Sequence, residues 1–205
     1  PMIYGPTVLF ALGEGAVIPL IPVIAADLGA SIATAALVAS ALVVGQLCGN
    51  IPAGWAVARF GERVTMTGAG ILCLIAAIGL ALAPSLALFA VAVLLIGFCA
   101  AAFGLARHSF MTTRVPLAFR ARSLSLLGGT FRFGMFIGPF VAAALIAVFG
   151  DPHAAIWFFA GCLVATILLV LLGPDPERVL APAPAGRATA DPRPAEDPRL
   201  AEDTG

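Results

Sequence analysis

Apolar residues fall into six long blocks, at about 3–26, 32–57, 64–83, 86–106, 123–149 and 154–173. A helix needs about 20 mostly apolar residues to cross roughly 30 Å of hydrocarbon, and each block reaches that length. None alternates over about ten residues as a barrel strand would. Backbone in lipid must satisfy its own hydrogen bonds, so continuous apolar blocks of this length predict helices. The expected fold class is an all-α integral membrane protein with six transmembrane helices in residues 1–173.

Residues 174–205 break the pattern. Pro174, Pro176, Pro182, Pro184, Pro192, Pro194 and Pro198 are spaced through a segment rich in Ala, Asp and Glu. Little there can be buried, so the segment is expected to be a disordered cytoplasmic linker or tail.

Composition agrees with the pattern. The chain has 205 residues, 61% hydrophobic and only 11% charged, with a mean hydropathy of +1.06. A soluble domain carries roughly 25% charged residues, so a soluble globular protein is excluded. The net charge of zero is a cancellation. Residues 1–173 hold seven Arg and four acids, and residues 174–205 hold four Arg and seven acids. No basic patch is interleaved with aromatics, so no nucleic-acid partner is expected.

The arginines give an orientation. Arg59 and Arg63 follow the second block, and Arg107, Arg114, Arg120 and Arg122 follow the fourth. The loops after the first, third and fifth blocks carry only Asp27 and Asp151 as charges. The positive-inside rule then puts the Arg-bearing loops and both chain ends in the cytoplasm, in a multi-pass protein of the cell membrane. Trp55 and Trp157 fall near opposite interfaces, where aromatic belts form. The first block does not read as a convincing signal peptide. It lacks a basic leader and holds Glu14, Pro19 and Pro22. Because the chain starts at Pro1, a truncated start is expected.

Enzyme signatures are missing. There is no Gly-x-Ser-x-Gly run, no His-Glu-x-x-His helix and no Gly-rich phosphate loop. Cys48, Cys73, Cys99 and Cys162 sit in apolar blocks without metal or redox spacing. No metal or cofactor is expected. His108 and His153 are expected at the surface.

Two segments carry motifs. The second block ends in Gly45-Gln46-Leu47-Cys48-Gly49-Asn50-Ile51-Pro52-Ala53-Gly54, followed by Trp55-Ala56-Val57-Ala58-Arg59-Phe60-Gly61-Glu62-Arg63. Gly45 and Gly49 form a small-residue face for close helix approach. The run Gly54, Arg59, Gly61 and Arg63 resembles the loop 2–3 signature of the major facilitator superfamily. Ala58 stands where that family has an acid that latches a cytoplasmic gate, and Glu62 offers a carboxylate at another spacing. The fifth block carries Gly134, Gly138, Pro139 and Leu145. This is similar to the helix 5 motif of drug–proton antiporters of the same superfamily, with Ala142 and Ala143 in place of two glycines. The fourth block lacks the intramembrane Arg often found before Gly97 in those antiporters.

The resemblance implies the N-terminal half of a twelve-span transporter, with the C-terminal six-helix half as its missing partner. It also implies a substrate site between the halves near the midplane. An intramembrane charge is expensive and marks function by default. Glu14 and Arg132 lie at similar depth in outward-running spans and are expected to pair. Glu14 is the candidate substrate or proton site, because alternating access would change its solvation and proton affinity. Gln46 and Asn50, four residues apart, share a helix face and are candidate cavity-lining residues.

The expected function is proton-coupled export of a small, amphipathic solute by alternating access. Two alternatives stand beside it: import by the same fold, and a stand-alone six-span protein with a structural or sensory role. The expected partners are the bilayer, a small-molecule substrate and protons.

Overall fold

A computed structural model describes residues 4–173, and the segment expected to be a linker or tail lies outside the described residues. The chain folds as α1 (Tyr4–Val17), a 3-10 turn (Ile18–Leu20), α2 (Ile21–Asp27), α3 (Ile32–Phe60), α4 (Glu62–Ala81), α5 (Leu86–Arg114), α6 (Leu117–Phe149) and α7 (His153–Leu172). No strand occurs among the described residues. Six of the resulting spans, counting α1 and α2 as one, are long and apolar enough to cross a membrane.

Helix boundaries follow local chemistry. The Ser31 Oγ accepts the Thr34 amide at the start of α3, and the Ser85 Oγ accepts the Leu88 amide at the start of α5. Each satisfies an otherwise orphaned donor of the first turn. Gly61 separates α3 from α4 with φ +83°, a value that side chains disfavour. Pro19 and Pro22 fall at the first turns of the 3-10 segment and of α2, where a missing N–H is tolerated.

Two of these helices run further than the apolar blocks. Block four was expected to end at 106 and block five to begin at 123. Instead α5 continues to Arg114, and α6 starts at Leu117 behind Pro116. The expected arginine-rich loop shrinks to Val115 and Pro116. Arg107 therefore belongs to α5, and Arg120 and Arg122 belong to the first turns of α6. Helical backbone needs no apolar side chains where it leaves the hydrocarbon, so hydropathy alone ends such helices early.

The helices pack in pairs around the first span. Contacts join α3 to α5, α1 to α6, α4 to α5, α1 to α7 and α4 to α7. Of the most apolar stretch of each span, 61% is buried for Tyr4–Asp27, against 28% for α3 and 17% for α6. The first span is thus the centre of the bundle. In contrast, α3 and α6 keep broad apolar faces uncovered, carrying Leu47, Ile51 and Trp55 on one and Phe133, Phe136 and Phe140 on the other.

Glycine sets the distance within two of these pairs. A Cβ on Gly45 would run into the Leu94 carbonyl oxygen of α5, and one on Gly97 would run into the Leu42 carbonyl oxygen of α3. Gly49 lies against Phe98 in the same way, 2.7 Å from its carbonyl oxygen to the Cβ position. On the other pair, a Cβ on Gly138 would come within 2.6 Å of the Ala16 amide nitrogen, and one on Gly134 within 2.8 Å of Ala11 Cβ. Helices this close gain dispersion contacts that lipid cannot match, which is the driving force for association in a membrane.

Candidate functional site

Glu14 is buried at 3% exposure near the end of α1. Gly13 and Gly15 flank it, and each is closed off by a neighbour: Gly13 by Phe159 and Cys162 of α7, Gly15 by Met135 of α6. The glycines let α6 and α7 press against the backbone beside Glu14, while its carboxylate looks out on a cavity of about 310 Å³. Gln46 and Asn50 of α3, Arg107 and His108 of α5, and Phe131 of α6 share that cavity. Phe10 closes one side, stacked on Phe103 at 4.5 Å between ring centroids and edge-on to Phe159.

The cation that meets Glu14 is Arg107. Arg107 is 6% exposed and lies within Coulombic reach of the carboxylate. The expected Glu14–Arg132 pair is not formed. Arg132 is exposed, because it sits two residues from Gly134 and so points about 200° around the helix from the face that packs on α1. Gly134, Gly138 and Ala142 are buried on that inner face, while Pro139 is exposed.

The apolar block ends at 106, which leaves Arg107 in the expected loop. A signal was nonetheless present. Phe89, Val93, Ile96, Cys99 and Phe103 form a buried stripe at helical spacing, and the next position in phase is Arg107. The guanidinium lies over the Phe131 ring, 4.3 Å from its centroid. Its Nε and Nη1 are buried and have no hydrogen-bond partner among the described residues.

Gln46 and Asn50 both line the cavity, and the Asn50 side-chain amide donates to the Gln46 carbonyl oxygen at 2.9 Å. His108 also lines it, with Nδ1 2.7 Å from the Gly104 carbonyl oxygen. His108 is exposed, as expected, and stands at the rim of the cavity.

The loop 2–3 residues lie apart from this cavity. Arg59 and Gly54 are exposed. Arg63 donates to the carbonyl oxygens of Val170 (3.2 Å), Leu171 (2.6 Å) and Gly173 (3.2 Å) at the end of α7. These are the carbonyls a helix C-terminus leaves unpaired, and a cation there also suits the helix dipole. Glu62 Oε1 accepts from the hydroxyls of Ser109 (3.3 Å) and Thr113 (3.1 Å), tying the start of α4 to the end of α5. Among the described residues, no group of three or more His, Cys, Asp or Glu could hold a metal ion.

The described residues form a membrane-type helical bundle with uncovered apolar faces and a buried acid that opens on a cavity of mixed polar and aromatic lining. The family model of the Major Facilitator Superfamily matches residues 6–200. The chain belongs to that superfamily. It is similar to the gallate transporter of Pseudomonas putida, with 30% identity over 131 residues, covering 62% of this chain and 29% of the relative. Among solved structures it is similar to an auto-inhibited POT family peptide transporter, with a TM-score of 0.72 and 18% identity over 90% of this chain and 42% of that one. It is also similar to a proton:xylose symporter of the superfamily, with a TM-score of 0.62 and 18% identity over 83% of this chain and 42% of that one. At that identity the two structures speak for the fold. The chain spans well under half the length of each of these relatives. Six spans, half of an MFS fold, make it a multi-pass membrane protein of transporter type.

Proposed function

We propose that the chain is the N-terminal half of a proton-coupled secondary transporter that works by alternating access. The observation that carries this is Glu14, a buried acid facing Arg107 across a cavity wide enough to admit solvent. Exchange between solvent and a closed interior changes the stability of its charged form, and so whether it holds a proton. The proposed partner is a second six-helix half, which would cover the exposed faces of α3 and α6 and complete the cavity. The proposed setting is the cell membrane, with the Arg-bearing loops and both ends of the chain in the cytoplasm.

Export of a small amphipathic solute is the direction that the α6 motif favours. A second reading, co-transport of solute and proton inward, is favoured by Arg107. A cation opposite Glu14 would welcome an anionic solute once Glu14 is protonated.

The test uses the full-length protein in sealed vesicles with an imposed pH gradient. Gallate, named for the Pseudomonas putida relative, is the first solute to offer. Solute flux should follow the gradient in the wild type and lose that dependence in Glu14→Gln. Gradient-driven flux that survives in Glu14→Gln refutes the proton role. The sign of the flux relative to the gradient decides between exchange and co-transport.

A further inference from the structure

We infer that the cavity is a carboxylate-binding site in which Arg107 receives the anion and Phe131 and Phe10 receive the apolar body attached to it. The inference rests on the transporter reading and gives that transporter a substrate class.

The guanidinium is the key. An Arg side chain buried in a membrane span without hydrogen-bond partners is costly, and proteins keep one only where something satisfies it. Here Nε and Nη1 are both buried and unpartnered, and the side chain is more than nine-tenths buried. Glu14 is close enough to offset the charge but makes no hydrogen bond to it among the described residues. The unused donors belong to a side chain that lines the cavity.

Shape selects the anion. The Phe131 ring covers the guanidinium from one side, 4.3 Å from its centroid, and the buried Nε and Nη1 reach an anion when the side chain turns into the cavity. A planar carboxylate fits in-plane donors with two parallel hydrogen bonds. Phe10 supplies an aromatic wall, and Gln46 and Asn50 supply neutral polar groups in the same cavity. A cavity of about 310 Å³ suits a small acid with one ring or a short chain.

Charge couples the anion to a proton. With Glu14 ionised, the Glu14–Arg107 pair is neutral and an entering carboxylate meets a second carboxylate. With Glu14 protonated, the site carries one positive charge and attracts it. Arg107 of α5 and Cys73 of α4 lie within Coulombic reach of Glu14, and His108 of α5 shares its cavity; Cys99 lies beside Cys73, and Cys162 of α7 lies against Gly13. No titratable side chain of α6 faces it, since Arg132 points away. Glu14 is therefore the acid whose protonation switches the sign of the site.

The experiment is equilibrium binding to the full-length protein in detergent, with benzoate and gallate as probes and benzamide as the neutral isostere, at pH 6 and pH 8. The expected result is at least tenfold tighter binding of a carboxylate probe than of benzamide, with tighter binding at pH 6. Arg107→Gln should lose at least tenfold, and Arg107→Lys should recover part of it. Glu14→Gln should remove most of the pH dependence of carboxylate binding, and His108→Gln, which takes away the other titratable group of the cavity, should leave it in place. Thermal unfolding of each variant separates lost binding from lost fold. Parity between both carboxylates and benzamide overturns the inference, as does undiminished binding in a folded Arg107→Gln. Gradient-driven flux of some other solute with no carboxylate binding would sink the inference and leave the transporter reading intact. Carboxylate binding without gradient-driven flux would do the reverse.

Discussion

The tightest contact between two helices lies where α3 crosses α5, and it gives a sharp prediction. In Gly45→Ala the new methyl would overlap the Leu94 carbonyl oxygen and lie 2.9 Å from the carbon behind it and 3.0 Å from the Phe98 amide nitrogen. Ordinary carbon contacts are about 3.5–4.0 Å, and all three neighbours are backbone that cannot rotate aside. The helices must part by roughly 1 Å or more. Overpacking of this kind costs about 1–3 kcal/mol. The upper part of that range applies, because Gly49 and Gly97 lie in the same interface and lose their close contacts together. Gly79→Ala is the control. Nothing lies within 4 Å of its added methyl, so helix propensity alone acts and can stabilise by up to about 1 kcal/mol.

The assay is unfolding of the full-length protein in mixed micelles of rising denaturing-detergent fraction, read by tryptophan fluorescence. Gly45→Ala should unfold at a clearly lower fraction than wild type, and Gly79→Ala at the same fraction or higher. The double variant Gly45→Ala with Gly97→Ala should lose less than the two singles combined, because helices already parted by one methyl make room for the other. Equal midpoints for Gly45→Ala and Gly79→Ala would refute the reasoning, and strict additivity would show that the two methyls meet different obstacles.

Two further predictions concern helix ends. Arg63→Ala removes three donors from the end of α7; a loss of about 1–2 kcal/mol in the same unfolding assay is expected, partly restored by Arg63→Lys, and no loss would show that water replaces the cap. Asp151 accepts from both the His153 amide and the His153 ring at 2.8 Å, and the amide bond, with the ring bond second, holds its carboxyl below the ordinary value of 3.8. A carboxylate with a depressed folded pKa stabilises above the unfolded pKa and loses that contribution as pH falls through the folded pKa. Asp151→Ala should therefore melt below wild type at pH 7, with the gap closing in acid below the ordinary carboxylate range. A gap that persists unchanged there would rule out the charge as its source.

The fold was legible because lipid leaves so few options. Continuous apolar blocks can only be helices, and the small residues Gly45, Gly49, Gly134 and Gly138 announced the faces that approach closely. The site was legible in part. Glu14 stood out as a lone acid in an apolar block, and the four-residue spacing of Gln46 and Asn50 put them on one face. Its cation did not stand out. Hydropathy registers where apolar side chains stop, and Arg107 falls one residue past that point, on a helix that runs on to Arg114. Depth alone made Arg132 the candidate, but depth says nothing of azimuth. The phase of Gly134 and Gly138 would have turned Arg132 away, and the phase of Cys99 and Phe103 would have turned Arg107 inward.

That geometry also bears on how the domain could move. The glycine contacts join α1 to α6 and α3 to α5 at backbone distance, and backbone packed that closely resists sliding. The cavity draws walls from both pairs: Glu14 and Phe131 from one, Gln46 and Arg107 from the other. The Glu14–Arg107 separation changes either by a turn of the long Arg107 side chain or by a shift of the two helix pairs against each other, and the attraction between the two charges favours the closer arrangement of the pairs. Protonating Glu14 or neutralising Arg107 with an anion removes the attraction between those pairs. Under the proposed transport reading, charge at one buried position would act on the arrangement of four helices, which is the coupling an alternating-access cycle requires.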